Sequence, residues 1–334
     1  MSESRIRLSI LDQTPVIEGA SVADAIAATV DLAQMADELG YHRYWCAEHH
    51  GSMALANPAP EIMVARLAAA TKRLRVGSGG IMLPYYSPWK VAEQFLLLEA
   101  LFPGRIDLGL GRAPGGDQRT ARAVAGGQPS SEQFPEQVAL LAALLTGNLP
   151  ENHPYRELTM QPRTGSKPEI WMLGSSDFGG RLAARLGLNF CFAHFINAHD
   201  GEVVSRFYRE QFQPGYEEKP HAAVALFVIC ADTEQEAADL SAAVDLRRLH
   251  QAYGHNAPIP GVLAGKSMQF SPRDQAMIDA ERPRSIIGTP AQVAERVHAL
   301  KDGFAADEVV VLTVAASYRA RERSAQLLAE CFLS

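Results

Sequence analysis

The chain has 334 residues, 47% of them hydrophobic and 21% charged, with a formal net charge of −7. That balance suits a globular chain with a large core and argues against a nucleic-acid partner, which would want a basic patch. It leaves room for a small anion, because a local site can be positive in a negative chain.

From the N-terminus onward, short apolar runs rich in β-branched or aromatic residues alternate with longer helical patterns. The runs fall at 6–11, 44–47, 74–77, 106–110, 170–173, 190–193, 222–230 and 309–314. Helices are expected near 22–39, 60–72, 88–101, 132–146, 177–187, 199–212, 234–253 and 290–301. In the first, Val22, Ile26, Val30 and Ala33 share one face. Ser21 and Asp24 are spaced for a capping box, and Gly40 for a C-terminal stop. Eight strand–helix units imply a parallel sheet with helices outside, favouring a closed (β/α)8 TIM barrel in one domain, 1–334, over an open doubly wound sheet. Connections near 112–131, 147–168 and 254–287 exceed simple turns, so insertions are expected after the fourth and seventh strands. The last reads equally as a lid or a surface insertion.

No segment approaches the roughly 18 apolar residues of a membrane span. The start MSESRIRLSILDQ lacks the pattern of a signal peptide. Cys46, Cys191, Cys230 and Cys331 show no C-x-x-C spacing, so no zinc site or redox dithiol is expected. A reducing, cytoplasmic location is the simplest expectation.

Barrel active sites lie at the C-terminal ends of the strands, so the residues that follow each run carry the chemistry. The second run leads into Glu48-His49-His50. Adjacent side chains at a strand end point apart, which disfavours a metal site. A histidine suits proton transfer, and either could equally hold a loop by hydrogen bonds. The third run leads into Gly77-Ser78-Gly79-Gly80, where backbone could approach a flat ligand or turn a tight corner. The fourth leads to Arg112-Ala113-Pro114-Gly115-Gly116, whose guanidinium could pair with a phosphate. Gly109-Leu110-Gly111 opens like a dinucleotide fingerprint, but the next glycine is misplaced and Pro114 interrupts the turn. The fifth leads into Gly174-Ser175-Ser176-Asp177-Phe178-Gly179-Gly180, a helix start able to bind an anion, be capped by Ser176 or Asp177, or both. The sixth ends at His194.

Several of these stretches resemble the bacterial luciferase family of flavin monooxygenases. The likeness rests on W-C-A-E-H-H at 45–50, N-P at 57–58, and V-G-S-G-G-I-M-L-P-Y-Y-S-P-W-K-V-A-E-Q at 76–94. It continues in L-F-P-G-R-I-D-L-G-L-G-R-A-P-G at 101–115 and I-I-G-T-P-A-Q-V-A-E-R at 286–296. It looks closest to the subgroup without an assigned substrate. The resemblance implies that His49 is the catalytic histidine and that Gly79 and Gly80 share a cis peptide beneath the flavin ring. It also implies that Arg112, Ser175, Ser176 and Gly179 hold the FMN phosphate, with His194 beside the ring. The implied reaction uses reduced FMN and O2, through a flavin C4a-peroxide, to oxidise a small organic substrate such as an aldehyde or other carbonyl compound. A separate reductase would supply the reduced flavin, and a homodimer is implied. Gly111 stands where the light-emitting enzymes have cysteine, so light emission is not expected. A deazaflavin-dependent hydride transfer and a non-catalytic flavin-binding or partner subunit are the alternatives; no metal is expected.

Overall fold

The computed structural model describes residues 6–112 and 117–333. The Ala113-Pro114-Gly115-Gly116 part of the turn after the fourth run lies outside the described residues. Nine strands are formed among them: β1 (Arg7–Asp12), β2 (Arg43–Cys46), β3 (Arg75–Met82), β4 (Ile106–Gly111), β5 (Glu169–Gly174), β6 (Asn189–Ala193), β7 (Ala222–Cys230), β8 (Ser285–Gly288) and β9 (Glu308–Leu312). The helices are α1 (Val22–Leu39), α2 (Pro60–Ala70), α3 (Pro88–Leu101), α4 (Gln118–Ala125), α5 (Phe134–Thr146), α6 (Asp177–Leu186), α7 (Gly201–Glu210), α8 (Glu234–Ala252), α9 (Val262–Ser267), α10 (Pro272–Glu281), α11 (Pro290–Gly303) and α12 (Tyr318–Phe332).

All strand pairings between these elements are parallel. The sheet runs β1 to β7 in order, and β9 then pairs with both β7 and β1, which closes an eight-stranded barrel. This is the expected (β/α)8 barrel. Its eight strands match the eight apolar runs, because each run is buried on both faces: all nine residues of β7 are buried. The ninth strand, β8, lies outside the closed ring and pairs only with the end of β7, from Phe227 to Cys230. Its four residues, S-I-I-G, are too short to stand out as an apolar run.

Helix α1 is delimited as its sequence suggests. Ser21 and Asp24 form a reciprocal capping box, and Gly40 adopts φ +86° at the C-cap. The insertion after β4 contains α4, capped by the Asp117 side chain, with Ala121 its one buried residue. Such a polar segment has no apolar period to read. The insertion after β7 holds α9, α10 and β8. Its Ile259 bridges Ile17, and its Asn256 hydrogen-bonds Met53 N at 2.6 Å and Gly51 O at 2.8 Å.

The barrel interior is layered. At the N-terminal ends of the strands, buried Arg43 bonds Asp107 (2.7 Å), Glu308 (2.7 Å) and Glu169 (3.2 Å), while Arg75 reaches Asp107 at 2.6 Å. Above this charged plug, Trp45 and Trp171 meet edge to face at 5.1 Å, and Trp45 donates from Nε1 to Asp107 at 2.9 Å. An apolar layer follows, including Leu11, Cys191 and Ala225. The C-terminal strand ends open above it.

Candidate functional site

A cavity of about 290 Å3 opens at the C-terminal end of the barrel. His49, Gly79, Gly80, Arg112, Ser175, Ser176 and Gly179 all line it, joined by Leu11, Gln13, Glu48, Met172 and Phe178 among others. Seven of the eight residues singled out in the sequence are therefore brought to one space, and the alternation of side chains along each strand explains how.

The Glu48-His49-His50 element divides its labour. Glu48 is buried and accepts from His50 Nε2 (2.7 Å), the Tyr86 hydroxyl (2.7 Å) and Met82 N (2.9 Å). Glu48 thus pins the loop to the end of β3, and His50 holds Glu48 in place. His49 instead faces the cavity, and its Nδ1 is buried with no hydrogen-bond partner among the described residues. Burial, and then the charges of Arg247 and His50, lower its pKa to about 4. His49 is neutral at pH 7.

The glycines of β3 have two different reasons. A Cβ on Gly77 would run into the Asp107 backbone, so this glycine serves close packing of β3 on β4. The Gly79–Gly80 peptide is cis, and it sits where the β3–β4 register shifts between Ser78 and Ile81. A Cβ on Gly79 would stand 2.6 Å from Leu11 Cδ1 and 2.9 Å from Trp45 Cβ. Gly77 thus serves strand packing, while Gly79 and Gly80 present backbone to the cavity at the irregular turn of β3.

On the cavity's rim, the exposed Arg112 lays its guanidinium carbon 4.0 Å from the centre of the Phe178 ring, in the first turn of α6. No carboxylate pairs with it among the described residues. Ser176 occupies the N-cap of α6, yet its side chain makes no capping hydrogen bond. The first-turn N–H groups and two serine hydroxyls are thereby free for another acceptor. Asn197 braces this turn by donating from Nδ2 to Ser175 O at 3.0 Å.

His194 departs from expectation. It does not line the cavity, although its neighbours Ala193, Phe195 and Ile196 do. In β6, Cys191 and Ala193 point inward while Phe190 and Phe192 point out to the helices, and His194 follows the outward set. It is 3% exposed and meets Phe304 edge-on at 6.1 Å, and burial lowers its pKa to about 4. The residues that sequence reading missed are Gln13, whose buried Oε1 has no partner, and the apolar lining of Met172, Phe178 and Phe195. Gln13 directly follows the first apolar run, in the stretch Asp12-Gln13-Thr14-Pro15. Asp12 of that turn is structural: it accepts from Arg321 (2.7 Å), Thr29 (2.8 Å) and Thr14 N (2.8 Å).

Comparison with known proteins places the chain in a family. The family model for luciferase-like monooxygenases matches residues 6–307. The protein YwcH of Bacillus subtilis (strain 168) is 44% identical over 332 residues, covering 98% of this chain and 99% of its own. The N-acetyl-S-alkylcysteine monooxygenase of the same organism is 38% identical over 333 residues, covering 98% and 99%. The crystal structure of apo-MsnO8 has a TM-score of 0.90 at 36% identity and covers 98% of both chains. More distant structures share the fold alone. One is the oxygenating constituent of 3,6-diketocamphane monooxygenase of Pseudomonas putida in complex with FMN (20% identity, TM-score 0.72, covering 98% and 97%). Another is an F420-dependent secondary alcohol dehydrogenase (13%, 0.69, covering 98% of both). With the family model spanning most of its length and relatives matched end to end, the chain belongs to the luciferase-like monooxygenases and is an enzyme of that class.

Proposed function

We propose that the chain, as one domain, is an FMN-dependent monooxygenase that uses reduced FMN and O2 to oxidise a small organic substrate. The observation that carries this reading is the convergence of two unlike surfaces on one cavity. A rim of unpaired cation and free N–H groups at Arg112 and the Ser175–Ser176 turn suits a phosphate. A wall of Gly79, Gly80, Leu11, Met172 and Phe178 suits a flat, largely apolar ring.

The residues fit the cofactor. Arg112, Ser175, Ser176 and the first turn of α6, kept close to β5 by Gly179, would hold its phosphate, and Gly79–Gly80 would lie against its ring. When bound and reduced, FMN supplies the electrons that activate oxygen. His49, neutral at pH 7, accepts or returns a proton at the substrate. Glu48 and His50 hold the His49 loop in place. The apolar walls keep water from the reacting atoms.

The substrate reading is an aldehyde or other carbonyl compound, and the N-acetyl-S-alkylcysteine monooxygenase makes a thioether the other candidate. No second nucleotide-binding motif accompanies the cavity residues, which supports a separate reductase as the source of reduced FMN. A homodimer in the cytoplasm completes the reading; all four cysteines are free, as a reducing compartment would keep them. Among the described residues no helix is long and apolar enough to cross a membrane. Deazaflavin use is the other reading of this fold, and direct competition between the two cofactors separates them.

The test is rapid mixing of the protein and photoreduced FMN with oxygen. The expected result is a transient absorbance distinct from both reduced and oxidised flavin, its decay hastened by a substrate. Reoxidation at the rate of free flavin, or preferential binding of a deazaflavin in direct competition, contradicts the proposal.

A further inference from the structure

Arg247 lies on α8, half-buried, and its Nε is buried with no hydrogen-bond partner among the described residues. Among the described residues no carboxylate pairs with it, whereas its neighbours on the helix are engaged. Asp245 pairs with Arg282 at 3.2 Å, and Arg248 bonds Glu281 O at 3.4 Å and the Ser285 hydroxyl. A buried guanidinium N–H without an acceptor is disfavoured in a folded chain unless a ligand supplies one.

Helix geometry says where that ligand would be. Arg247 follows Val244 by three residues, Ala243 by four and Leu240 by seven, so it shares their face. Those three residues pack into the same hydrophobic cluster as Leu11, Trp45, Ala47 and Cys191, which line the cavity. Just beyond the end of α8, Asn256 hydrogen-bonds Gly51 O and Met53 N, which ties this region to the loop that carries His49. The charge of Arg247 is felt by His49. Arg247 does not itself line the cavity; the Asn256 hydrogen bonds put its end of α8 beside the loop that carries His49. With a cofactor occupying the cavity of about 290 Å3, a second reactant is held in part beyond it, and the side next to the His49 loop offers this guanidinium.

We infer that the substrate is a small organic carboxylate whose anionic group pairs with Arg247 while its reactive end lies beside His49. This rests on the monooxygenase reading above for the chemistry, but not for the anion site itself. The phosphate of a cofactor has its own cradle on the rim at Arg112 and the Ser175–Ser176 turn, which leaves Arg247 for the other reactant.

The experiment uses the full chain, with and without saturating FMN, and measures binding of butanoate, phenylacetate and methylthioacetate, each against its primary amide. Wild-type protein is compared with R247M and R247K. The expected result is a preference of about ten- to a hundred-fold for at least one carboxylate over its amide, the range of a charge-assisted hydrogen-bonded pair. That preference disappears in R247M and survives in part in R247K, while FMN affinity stays within about two-fold of wild type. R247M unfolds at the same or higher urea concentration, since it removes a buried N–H that has no acceptor. The inference is overturned if no member of the panel prefers the carboxylate, if R247M keeps the preference, or if R247M loses FMN instead. Failure of FMN to bind at all would remove the monooxygenase reading, and the panel on FMN-free chain would still decide on Arg247.

Discussion

The two ends of the barrel are built from similar side chains and treat them oppositely. At the N-terminal ends of the strands, Arg43, Arg75, Asp107, Glu169 and Glu308 bury their charges against one another, and Ser9 and Trp45 add hydrogen bonds. At the C-terminal ends, among the described residues, Gln13 Oε1 and His49 Nδ1 are buried without partners, and no carboxylate pairs with Arg112. The first arrangement fixes which strands meet in which register. The second leaves polar groups ready for a ligand, at a standing cost to the folded state. Stability and function are thus assigned to opposite ends of the same strands.

Breaking the lower end has the largest expected effect. Asp107→Ala leaves Arg43 and Arg75 without their shared carboxylate, and a loss of about 3–5 kcal/mol in urea unfolding is expected. Whatever enzyme remains folded keeps its activity per molecule; an equal loss of specific activity would mean that the two ends are not separable. At the upper end the pattern inverts. His49→Ala is expected to bind FMN normally and to lower turnover by about a hundred-fold or more, with little change in unfolding. Unchanged turnover removes His49 from the chemistry.

Smaller effects sharpen the contrast. Arg112→Ala is expected to weaken FMN about ten- to a hundred-fold and to leave riboflavin, which lacks the phosphate, unaffected. Titration of both ligands reads this directly. Acid pH probes the buried neutral histidines His42, His49 and His194, whose pKa values burial lowers to about 4. Their folded pKa lies below the ordinary 6.5, so between those values the unfolded chain binds protons that the native chain does not. Stability is therefore expected to fall as pH falls from 6.5 toward 4, by at most about 1.4 kcal/mol per pH unit for each group. His194→Leu should flatten that slope without touching FMN affinity, because His194 faces Phe304 rather than the cavity. A loss of FMN binding in this variant would restore His194 to the site.

The barrel was legible because its strands are buried on both faces, so each read as a short apolar run between helical patterns. What escaped was local and polar. Helix α4 buries only Ala121, and α9 has six residues. Helix α10 did carry a readable signal, the Ser271–Asp274 capping box with Pro272 in the first turn. Helix α12 buries Arg321 beside its apolar positions, because that guanidinium answers Asp12 across the barrel wall. In the site, the strand-end residues were visible as motifs, and the placing of His194 could have been corrected from the alternation of Cys191 and Ala193. The orphaned state of Gln13 and Arg247 could not be read at all. It depends on what fails to surround a side chain, which only the folded chain decides.

The account stands on the claim that the open end of the barrel holds FMN by its phosphate. Equilibrium titration of the purified chain with FMN and with riboflavin, each oxidised and reduced, tests it most directly. FMN should bind in at least one redox state, at least about ten-fold more tightly than riboflavin. No affinity for FMN in either state, or equal affinity for the two flavins, would contradict it.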